Sequence, residues 1–436
     1  MKKLYFIPLV FALASCANSV LEEETIIPEQ EGRGGETETI ITDLSAAEMA
    51  NCYIVRQPGV YKFRADNQFN LGEGLPVPPQ INVKSAKLVW QTVKGSITSI
   101  ELTGDEYDPY IEFEVKEAAG NAILAAVDEE GTIQWSWHIW MPQENISSVK
   151  TATGYEVMNM NLGSMTNQPG DPTSYGMLYQ WGRKDPFPAS ETLTGTTTTV
   201  SAPMYDIDGN PVTIGYSSWS SNTDNTLEYA ISHPTICLSN YSQYSTSRDW
   251  LAEGNDALWG NPNGYTPQEE VKFPSSGRKT CYDPSPAGWR VAPADVFNNF
   301  TTSGGYAWTF DDFNVADVNN DGVIDLDDYN YGWQFLVNDN TPLYFPAAAR
   351  FDGSYAMLMG SMSGLWGSYW SNAPYPGMSG GGFCCLSFQT KSQTGEEMIT
   401  VSPSAGASRA DAYSIRCIRD TESGEDSSGV KVIYPD

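Results

Sequence analysis

Carboxylate and amide side chains alternate through residues 317–328, which read DVNNDGVIDLDD. Side-chain oxygens fall at the first, third, fifth, ninth and twelfth positions, and a glycine at the sixth permits a sharp turn. The seventh position of such a loop contributes its backbone carbonyl, which completes the oxygen shell that calcium requires. The sequence therefore predicts a structural calcium site with the ligands Asp317, Asn319, Asp321, Val323, Asp325 and Asp328.

The twelfth position of this loop is Asp328, where the commonest calcium loop has glutamate. In this respect the loop resembles those of dockerins, the modules that bind cohesins. Dockerins carry two such loops, each followed by an apolar helix, whereas this chain has one, and Gly332 interrupts the segment that follows. We therefore expect calcium to stiffen the loop rather than to dock a partner. The alternative is a solvated acidic turn without an ion.

The N-terminus has the features of an export signal over residues 1–16. Lys2 and Lys3 precede a short apolar run, and the sequence LASC ends the segment at Cys16. This ending resembles the lipobox of bacterial lipoproteins. The resemblance implies cleavage before Cys16, lipidation of that cysteine and attachment to the outer membrane, at the cell surface, through the lipid. An ordinary secretory signal with a chance cysteine is the alternative.

The net charge is −30, from 54 acidic and 24 basic residues. Binding to nucleic acid or to an anionic membrane surface needs clustered cations, so the composition argues against both. Only two histidines are present, and His233 lies four residues before Cys237. A Cys–His catalytic pair is conceivable there, but we favour a hydrogen-bonded loop histidine beside a structural cysteine. The composition thus favours binding over catalysis.

Six cysteines follow Cys16, and an exported chain permits disulfides between them. No CxxC motif occurs, and the presence of only two histidines argues against a zinc site. The sequence does not choose among the pairings. The candidates for disulfides are Cys52, Cys237, Cys281, Cys384, Cys385 and Cys417.

Short strands separated by polar or glycine-containing turns are predicted over residues 43–149. In IQWSWHIWM, residues 133–141, apolar and polar side chains alternate, so we expect two indoles to face a core and His138 to face solvent. Several such strands at short intervals predict an immunoglobulin-like β-sandwich. An acidic tether over residues 17–42 precedes it.

Residues 150–420 are rich in Gly, Ser, Thr and Asn and have few long periodic segments. The best helix prediction is APADVFNNF at 292–300, while EEMITVS and AYSIRCIRD predict strands. Residues 421–436 add an acidic linker and a terminal strand, VKVIYPD, which either packs on its own domain or adds to another sheet edge. The fold class expected for the chain is β-rich, α+β.

Four groups of motifs between residues 155 and 420 resemble, in their order, the Fibrobacter succinogenes major paralogous domain of bacterial surface lipoproteins. They are YGMLYQWGRKDPFP, DWLAEGNDALWG with CYDPSPAGWRVAP, GSYWSNAP and AYSIRCIRD. The resemblance implies a C-type-lectin-like domain over 150–420. NCYIVRQPGVYKF and WSWHIW resemble the front domain of fimbrillin-associated, Bacteroidales-type lipoproteins. Ser285 departs from the family, which usually reads Asp-Pro-Cys-Pro there, so the family's disulfide pattern does not carry over directly.

Sugar binding uses flat aromatic faces beside amides and charged groups, and LWGSYWSN and YQWGR offer that mixture. In lectin-like domains the equivalent Trp-rich segment is often part of the core, which is the alternative interpretation. The candidate ligand-binding residues are Tyr179, Trp181, Arg183, Trp366, Tyr369, Trp370 and Asn372.

These features together predict a lipid-anchored surface protein that acts in adhesion, or binds a glycan or host protein, without catalysis. One alternative is an accessory or tip subunit of a fimbrillin-type pilus, for which Arg33 would be a processing site. A second alternative is an enzyme with the formylglycine-generating fold, which would use Cys384 and Cys385. Adjacent residues of a strand point to opposite faces, so these two cysteines suit separate pairings better than one shared site.

Overall fold

The computed structural model describes residues 40–67, 76–193, 201–217, 225–239, 248–262, 277–354, 357–375, 381–392 and 395–420, and only the main chain of 383–385. Cys16, Arg33 and the strand predicted at 430–436 lie outside these ranges. The described part is mostly β, which confirms the β-rich prediction, and its sheets are mixed or antiparallel. No helix in it is both long and apolar enough to cross a membrane.

Eight strands precede residue 142 in the described part: β1 (Ile41–Asp43), β2 (Cys52–Ile54), β3 (Gly59–Arg64), β4 (Ser85–Gln91), β5 (Ile97–Gly104), β6 (Pro109–Val115), β7 (Gly120–Val127) and β8 (Ile133–Met141). The first of them begins inside the segment predicted to be a tether, at Ile41. Its three residues pair in parallel with β3, from Ile41 opposite Val60 to Asp43 opposite Lys62. Residues 41 and 42, which the sequence assigns to the tether, therefore belong to a strand.

The remaining strands are shorter on average: β9 (Ser148–Lys150), β10 (Glu156–Met158), β11 (Met177–Gln180), β12 (Phe187–Pro188), β13 (Met204–Tyr205), β14 (Pro211–Val212), β15 (Gly215–Tyr216), β16 (Ile236–Cys237), β17 (Trp289–Val291), β18 (Gly332–Asn338), β19 (Thr341–Pro346), β20 (Phe351–Asp352), β21 (Met357–Leu358), β22 (Trp366–Pro374), β23 (Gly381–Lys391), β24 (Glu397–Ser402), β25 (Ala405–Ser408), β26 (Ala412–Ile415) and β27 (Cys417–Arg419). Three of them lie where strands are predicted: β24 in EEMITVS, and β26 and β27 in AYSIRCIRD.

Helical structure is sparse in the described ranges. It consists of α1 (Leu227–Ser232) and the 3-10 turns Pro172–Ser174, Asn298–Phe300, Phe310–Asp312, Leu326–Asp328 and Gly360–Met362. The helix predicted at 292–300 is wrong, because only its last three residues form a 3-10 turn. Phe297 precedes that turn without a side-chain cap, and its ring stacks on Phe300 within the core at 4.7 Å. Both rings are buried in the same core cluster, although the segment that carries them is not an α-helix.

Two sheets dominate the N-terminal part. One has the order β1-β3-β6-β5, and the other has the order β14-β13-β4-β7-β8-β2. They face each other through aromatic rings, such as Phe63 of β3 and Trp137 of β8, whose centroids lie 5.1 Å apart. Strands β13 and β14 come from beyond residue 200, so the second sheet combines segments from both regions that the sequence distinguishes.

His138 of β8 is buried, so the prediction that it faces solvent is wrong. The strand is covered on both faces: Trp137 packs toward Phe63, while His138 lies on the opposite side, where its Nδ1 is 3.4 Å from the Tyr179 hydroxyl. Its Nε2 donates to Asn121 Oδ1 at 2.8 Å, since the amide nitrogen of Asn121 is used on the Gly163 carbonyl. Burial lowers the pKa of His138 to about 3.

The largest sheet runs in the order β12-β11-β26-β22-β23-β24, with β20, β21 and β25 attached to its strands. A second sheet, β17-β27-β10-β9, the hairpin β18-β19 and the parallel pair β15-β16 surround it. One face of the large sheet contributes Tyr369, Leu386, Phe388 and Val401 to a buried aromatic and aliphatic core. Neighbouring residues along these strands point to the opposite face of the sheet, because side chains alternate along a strand. The candidate site lies on that opposite face.

One of the hydrophobic clusters extends across residue 150. It includes Trp90 and Trp137 from the N-terminal strands and Trp181, Trp259 and Trp370 from the later part of the chain, all nearly inaccessible to solvent. The described residues from Ile40 onward accordingly form one compact unit.

Candidate functional site

A cavity of about 390 Å³ opens on the face of the large sheet that is turned away from its core. Strands β20, β22, β23 and β26 and the segment before β20 supply its principal side chains. We call it the Trp366 pocket and define it by Arg350, Asp352, Trp366, Ser368, Ser387, Asp411 and Tyr413. Arg248, Gly353, Ser354, Ala410 and the residues of β25 complete its lining.

Trp366 is half-buried, and its orientation is fixed from two sides. Its Nε1 donates to Ser387 Oγ on the neighbouring strand at 3.3 Å. The guanidinium carbon of Arg350 lies 4.6 Å from the centroid of its ring, which is a cation–π contact. The indole is therefore held rigidly in the pocket, where it offers a flat apolar surface beside polar groups.

Arg350 is held in place by backbone and side-chain contacts. The preceding residue, Ala349, has φ of 59° and donates its N–H to the carbonyl of Trp366 at 2.9 Å. A left-handed alanine is strained, and such strain is concentrated at functional sites. The Arg350 guanidinium is 3.2 Å from Asp352 and 3.9 Å from Asp411. Burial lowers its pKa, but Tyr413 and both carboxylates outweigh that effect, and the net direction is upward.

Asp411 is the most constrained acid of the pocket. One of its oxygens accepts the N–H of Gly353 at 2.8 Å, and the other accepts the Tyr413 hydroxyl at 3.1 Å. Burial raises the pKa of Asp411 to about 6, although the Arg350 charge and these hydrogen bonds oppose the rise. Trp370 stacks on the Tyr413 ring at 4.3 Å and thereby supports the residue that orients this carboxyl.

Six of the seven ligand-binding candidates chosen from the sequence are buried, while Trp366 lines the pocket. The buried six are Tyr179, Trp181, Arg183, Tyr369, Trp370 and Asn372. Trp181 donates to the Ser371 carbonyl at 2.9 Å, and Trp370 donates to the Tyr179 carbonyl at 2.8 Å. In this structure the six side chains are enclosed by protein rather than facing solvent.

The sequence-based choice missed Arg350, Asp352, Asp411 and Tyr413. The only signals for them are Arg-Phe-Asp at 350–352 and Asp-Ala-Tyr at 411–413, each of which places two polar side chains on one face of a short strand. The pairing of Phe351 with Ala412 then brings the two segments together.

The predicted calcium loop is closed by its own side chains. Asp317 accepts the N–H of Gly322 at 2.9 Å, and Asp328 accepts that of Val318 at 2.6 Å. Gly322 has φ of 87°, as the sixth position of a calcium loop requires. Across the described ranges, however, no group of three or more His, Cys, Asp or Glu side chains is arranged to hold a metal ion.

The cysteines whose side chains are described all carry free, buried thiols: Cys52, Cys237, Cys281 and Cys417. No disulfide joins these four, in contrast to the sequence-based expectation of pairing. Burial raises the pKa of the Cys237, Cys281 and Cys417 thiols to about 12, so that none is activated as a thiolate. The side chains of Cys384 and Cys385 lie outside the described part.

His233 is exposed and ends α1, where its ring stacks on Tyr229 with centroids 3.9 Å apart. Its Nδ1 lies 2.9 Å from the Ser232 hydroxyl. Cys237 is buried in a separate apolar cluster.

No protein-family model, curated protein or solved structure matches this chain.

Proposed function

We propose that this protein is a lipid-anchored surface protein that binds a glycan in the Trp366 pocket and acts in adhesion without catalysis. The observation that carries the proposal is the fixed indole of Trp366 beside the Arg350–Asp352–Asp411 network. An indole offers an apolar surface to the C–H face of a sugar ring. The carboxylates, the serine hydroxyls and the guanidinium offer acceptors and donors for the ring's hydroxyl groups.

The setting of this site is part of the same proposal. We assign residues 43–149 to an immunoglobulin-like β-sandwich and 150–420 to a C-type-lectin-like head, and we propose attachment to the outer membrane through acylated Cys16. Labelling of growing cells with radioactive palmitate should mark the wild-type chain and not Cys16→Ala. Equal labelling of both would contradict the anchor and leave the glycan site untouched.

Calcium binding at residues 317–328 also belongs to the proposal. The donor set fits a hard cation, because all the predicted ligands are oxygens and the loop already has the required turn at Gly322. Asp317, Asn319, Asp321, Asp325 and Asp328 would hold the ion with the carbonyl of Val323. Bound calcium would neutralise the crowded carboxylates and stiffen the loop.

A glycan array probed with the purified full chain tests the binding function. Wild-type protein should bind at least one glycan class, and Trp366→Ala and Asp352→Asn should each weaken that binding by about tenfold or more, the equivalent of about 1.4 kcal/mol. Tyr107→Ala is the matched control, since Tyr107 is 88% exposed and lies in the turn between β5 and β6. Circular dichroism checks that each variant is folded. The absence of any bound glycan, or wild-type binding by folded Trp366→Ala, would contradict the proposal.

The two alternative functions depend on parts of the chain outside the described residues. The pilin alternative depends on Arg33 and on the terminal strand at 430–436. The enzyme alternative depends on the side chains of Cys384 and Cys385. The described residues therefore favour neither over glycan binding.

A further inference from the structure

The Trp366 pocket lies on one face of the sheet formed by β22, β23 and β24. Ser368 pairs with Ser387, and Ser387 pairs with Ser402, so these three side chains project from the same face. Side-chain contacts agree with this register, because the hydroxyls of Ser368 and Ser387 lie 3.5 Å apart and Trp366 donates to Ser387. The face can therefore be followed outward from the pocket, strand by strand.

The same face continues beyond β24 onto the segment around Ala307. Ala307 and Val401 exchange two backbone hydrogen bonds, of 2.8 and 3.0 Å, and both side chains lie in the core beneath the sheet. Successive side chains of an extended segment point to opposite sides. Tyr306 and Trp308, the neighbours of Ala307, are therefore directed to the face that carries the Trp366 pocket.

Tyr306 and Trp308 form an exposed aromatic pair with ring centroids 5.3 Å apart. Trp308 is 68% exposed, more than any other tryptophan that the structure describes, and Tyr306 is 49% exposed. Both rings are carried by a backbone pinned to β24 through Ala307, so their position relative to the sheet is fixed. Exposure of two large rings at a rigid edge is characteristic of a binding surface.

The distance from the pocket to the pair can be read from the strand spacing. Trp366 lies on β22, and the pair lies beyond β23 and β24, which amounts to three inter-strand steps or about 14 Å. A ligand that spans this distance must be longer than one sugar ring. Thr400 and Ser402, which lie between the two ends, are nearly covered, so the ligand's contacts are concentrated at the two aromatic ends.

The charges on this face favour an uncharged ligand. In the pocket, Arg350 is paired with Asp352 and Asp411, and Arg248 is exposed. The pocket therefore contains two cationic side chains and two carboxyl groups. At the far end Asp311 and Asp312 follow Trp308, and the whole chain has a net charge of −30. The acidic end would repel a polyanionic glycan, whereas a neutral glycan would experience no such repulsion.

We propose that the Trp366 pocket and the Tyr306–Trp308 pair are the two ends of one binding face for a neutral, linear oligosaccharide. The ligand class is then a stretch of polysaccharide chain rather than a single terminal sugar. This inference rests on the proposed glycan-binding function and specifies its substrate.

The test is a length series measured by isothermal titration calorimetry with the purified full chain. Linear oligomers of glucose, mannose, xylose and N-acetylglucosamine, from one to six residues long, are the neutral probes. In the series that binds, affinity should rise by about tenfold or more once the oligomer is long enough to reach the second end. Trp308→Ala should abolish that rise, while Trp366→Ala should weaken oligomers of every length.

Tyr107→Ala is again the control, because it removes an exposed ring from a distant turn. Oligomers of galacturonic acid of the same lengths test the charge argument and should bind at least tenfold more weakly than the neutral series. The inference fails, while the proposed function survives, if affinity is independent of length, if Trp308→Ala weakens all lengths equally, or if the uronic acid oligomers bind more tightly. If no oligomer binds and the glycan array is also blank, the proposed function itself fails.

Discussion

The Cys417 thiol donates a hydrogen bond to the Ser285 hydroxyl across 3.2 Å, in the buried region where β17 pairs with β27. Position 285 is where the resembling lipoprotein family has a cysteine. The structure thus places the Cys417 thiol beside a hydroxyl at the position of that cysteine. Because of this contact, a cysteine introduced at position 285 tests directly whether the fold brings residues 285 and 417 together.

Ser285→Cys should create a disulfide with Cys417. The two side-chain atoms need to approach by only about 1 Å to reach the S–S bond length. The bond would close a loop of more than one hundred residues and should raise the free energy of unfolding by about 2–4 kcal/mol. Peptide mapping by mass spectrometry identifies the linkage, and chemical denaturation with and without reductant measures the gain.

Ser285→Ala is the control for this substitution. It removes the hydrogen bond without adding a sulfur, and should cost about 1 kcal/mol. Reductant should leave its stability the same as that of wild type. A Ser285→Cys protein in which both thiols still react with a thiol reagent after oxidation and unfolding would show that the two positions are not juxtaposed.

Asp321→Ala should remove the stabilisation that calcium gives to the wild-type chain. If the ion binds at 317–328, calcium at about one hundred times its Kd should raise the free energy of unfolding by about 2.7 kcal/mol. Scanning calorimetry in calcium and in chelator measures this as a shift in Tm. Asp327→Ala is the matched control, because residue 327 occupies the non-ligating eleventh position and its carboxylate is exposed. A wild-type Tm that is unchanged by chelator would refute the calcium site.

Asp411→Asn should become more stable relative to wild type as the pH rises from 4 to 7. Burial raises the folded pKa of Asp411 to about 6, above the usual value for an unfolded chain, so its contribution is most favourable at low pH and is lost as pH rises through 6. Asparagine does not ionise. The difference in unfolding free energy should therefore shift toward the variant by about 2–3 kcal/mol over this range, as measured by urea denaturation.

Asp249→Asn provides a companion measurement at a second site. Burial also raises the pKa of Asp249, which is paired with Arg409, to about 6, so the shift should have the same sign. A pH-independent difference for Asp411→Asn would mean that this carboxyl is not confined as the structure has it.

His138→Gln should reduce the loss of stability on acidification. The folded pKa of about 3 lies below that of an unfolded histidine, so the neutral ring contributes full stability above about pH 6.5 and loses it as the pH falls toward 3. Between pH 7 and pH 4 the difference should shift toward the variant by about 3 kcal/mol in denaturation experiments. His233→Gln, at the exposed histidine, is the control for the loss of an imidazole elsewhere in the chain. If both variants behave alike, His138 is not the buried neutral group.

The strands could be predicted from the sequence because their alternation is local. The segment that forms β8 reads as a strand from its period alone, and EEMITVS and AYSIRCIRD do so from their β-branched and aromatic content. What the period does not show is burial on both faces. His138 occupies a polar position by pattern, and only the packing of later segments against β8 encloses it.

The candidate site was harder to predict from the sequence than the strands. Trp366 stands among the seven candidates because aromatic and amide residues crowd its segment. Arg350 and Asp411 belong to segments about sixty residues apart, and their meeting depends on β20 pairing with β26. No local spacing encodes that long-range pairing. Trp308 likewise gains significance only from the single bridge between Ala307 and Val401, which sets its direction.

The hydrophobic cluster that extends across residue 150 determines how this protein is expected to unfold. Because Trp137 and Trp181 belong to one cluster, loss of either region exposes apolar surface of the other region to solvent. Heating the chain should therefore give one cooperative endotherm rather than two. A truncation at residue 150 would expose part of this cluster to solvent and promote aggregation. The smallest part of the chain that we expect to fold independently is therefore the whole unit that contains the cluster.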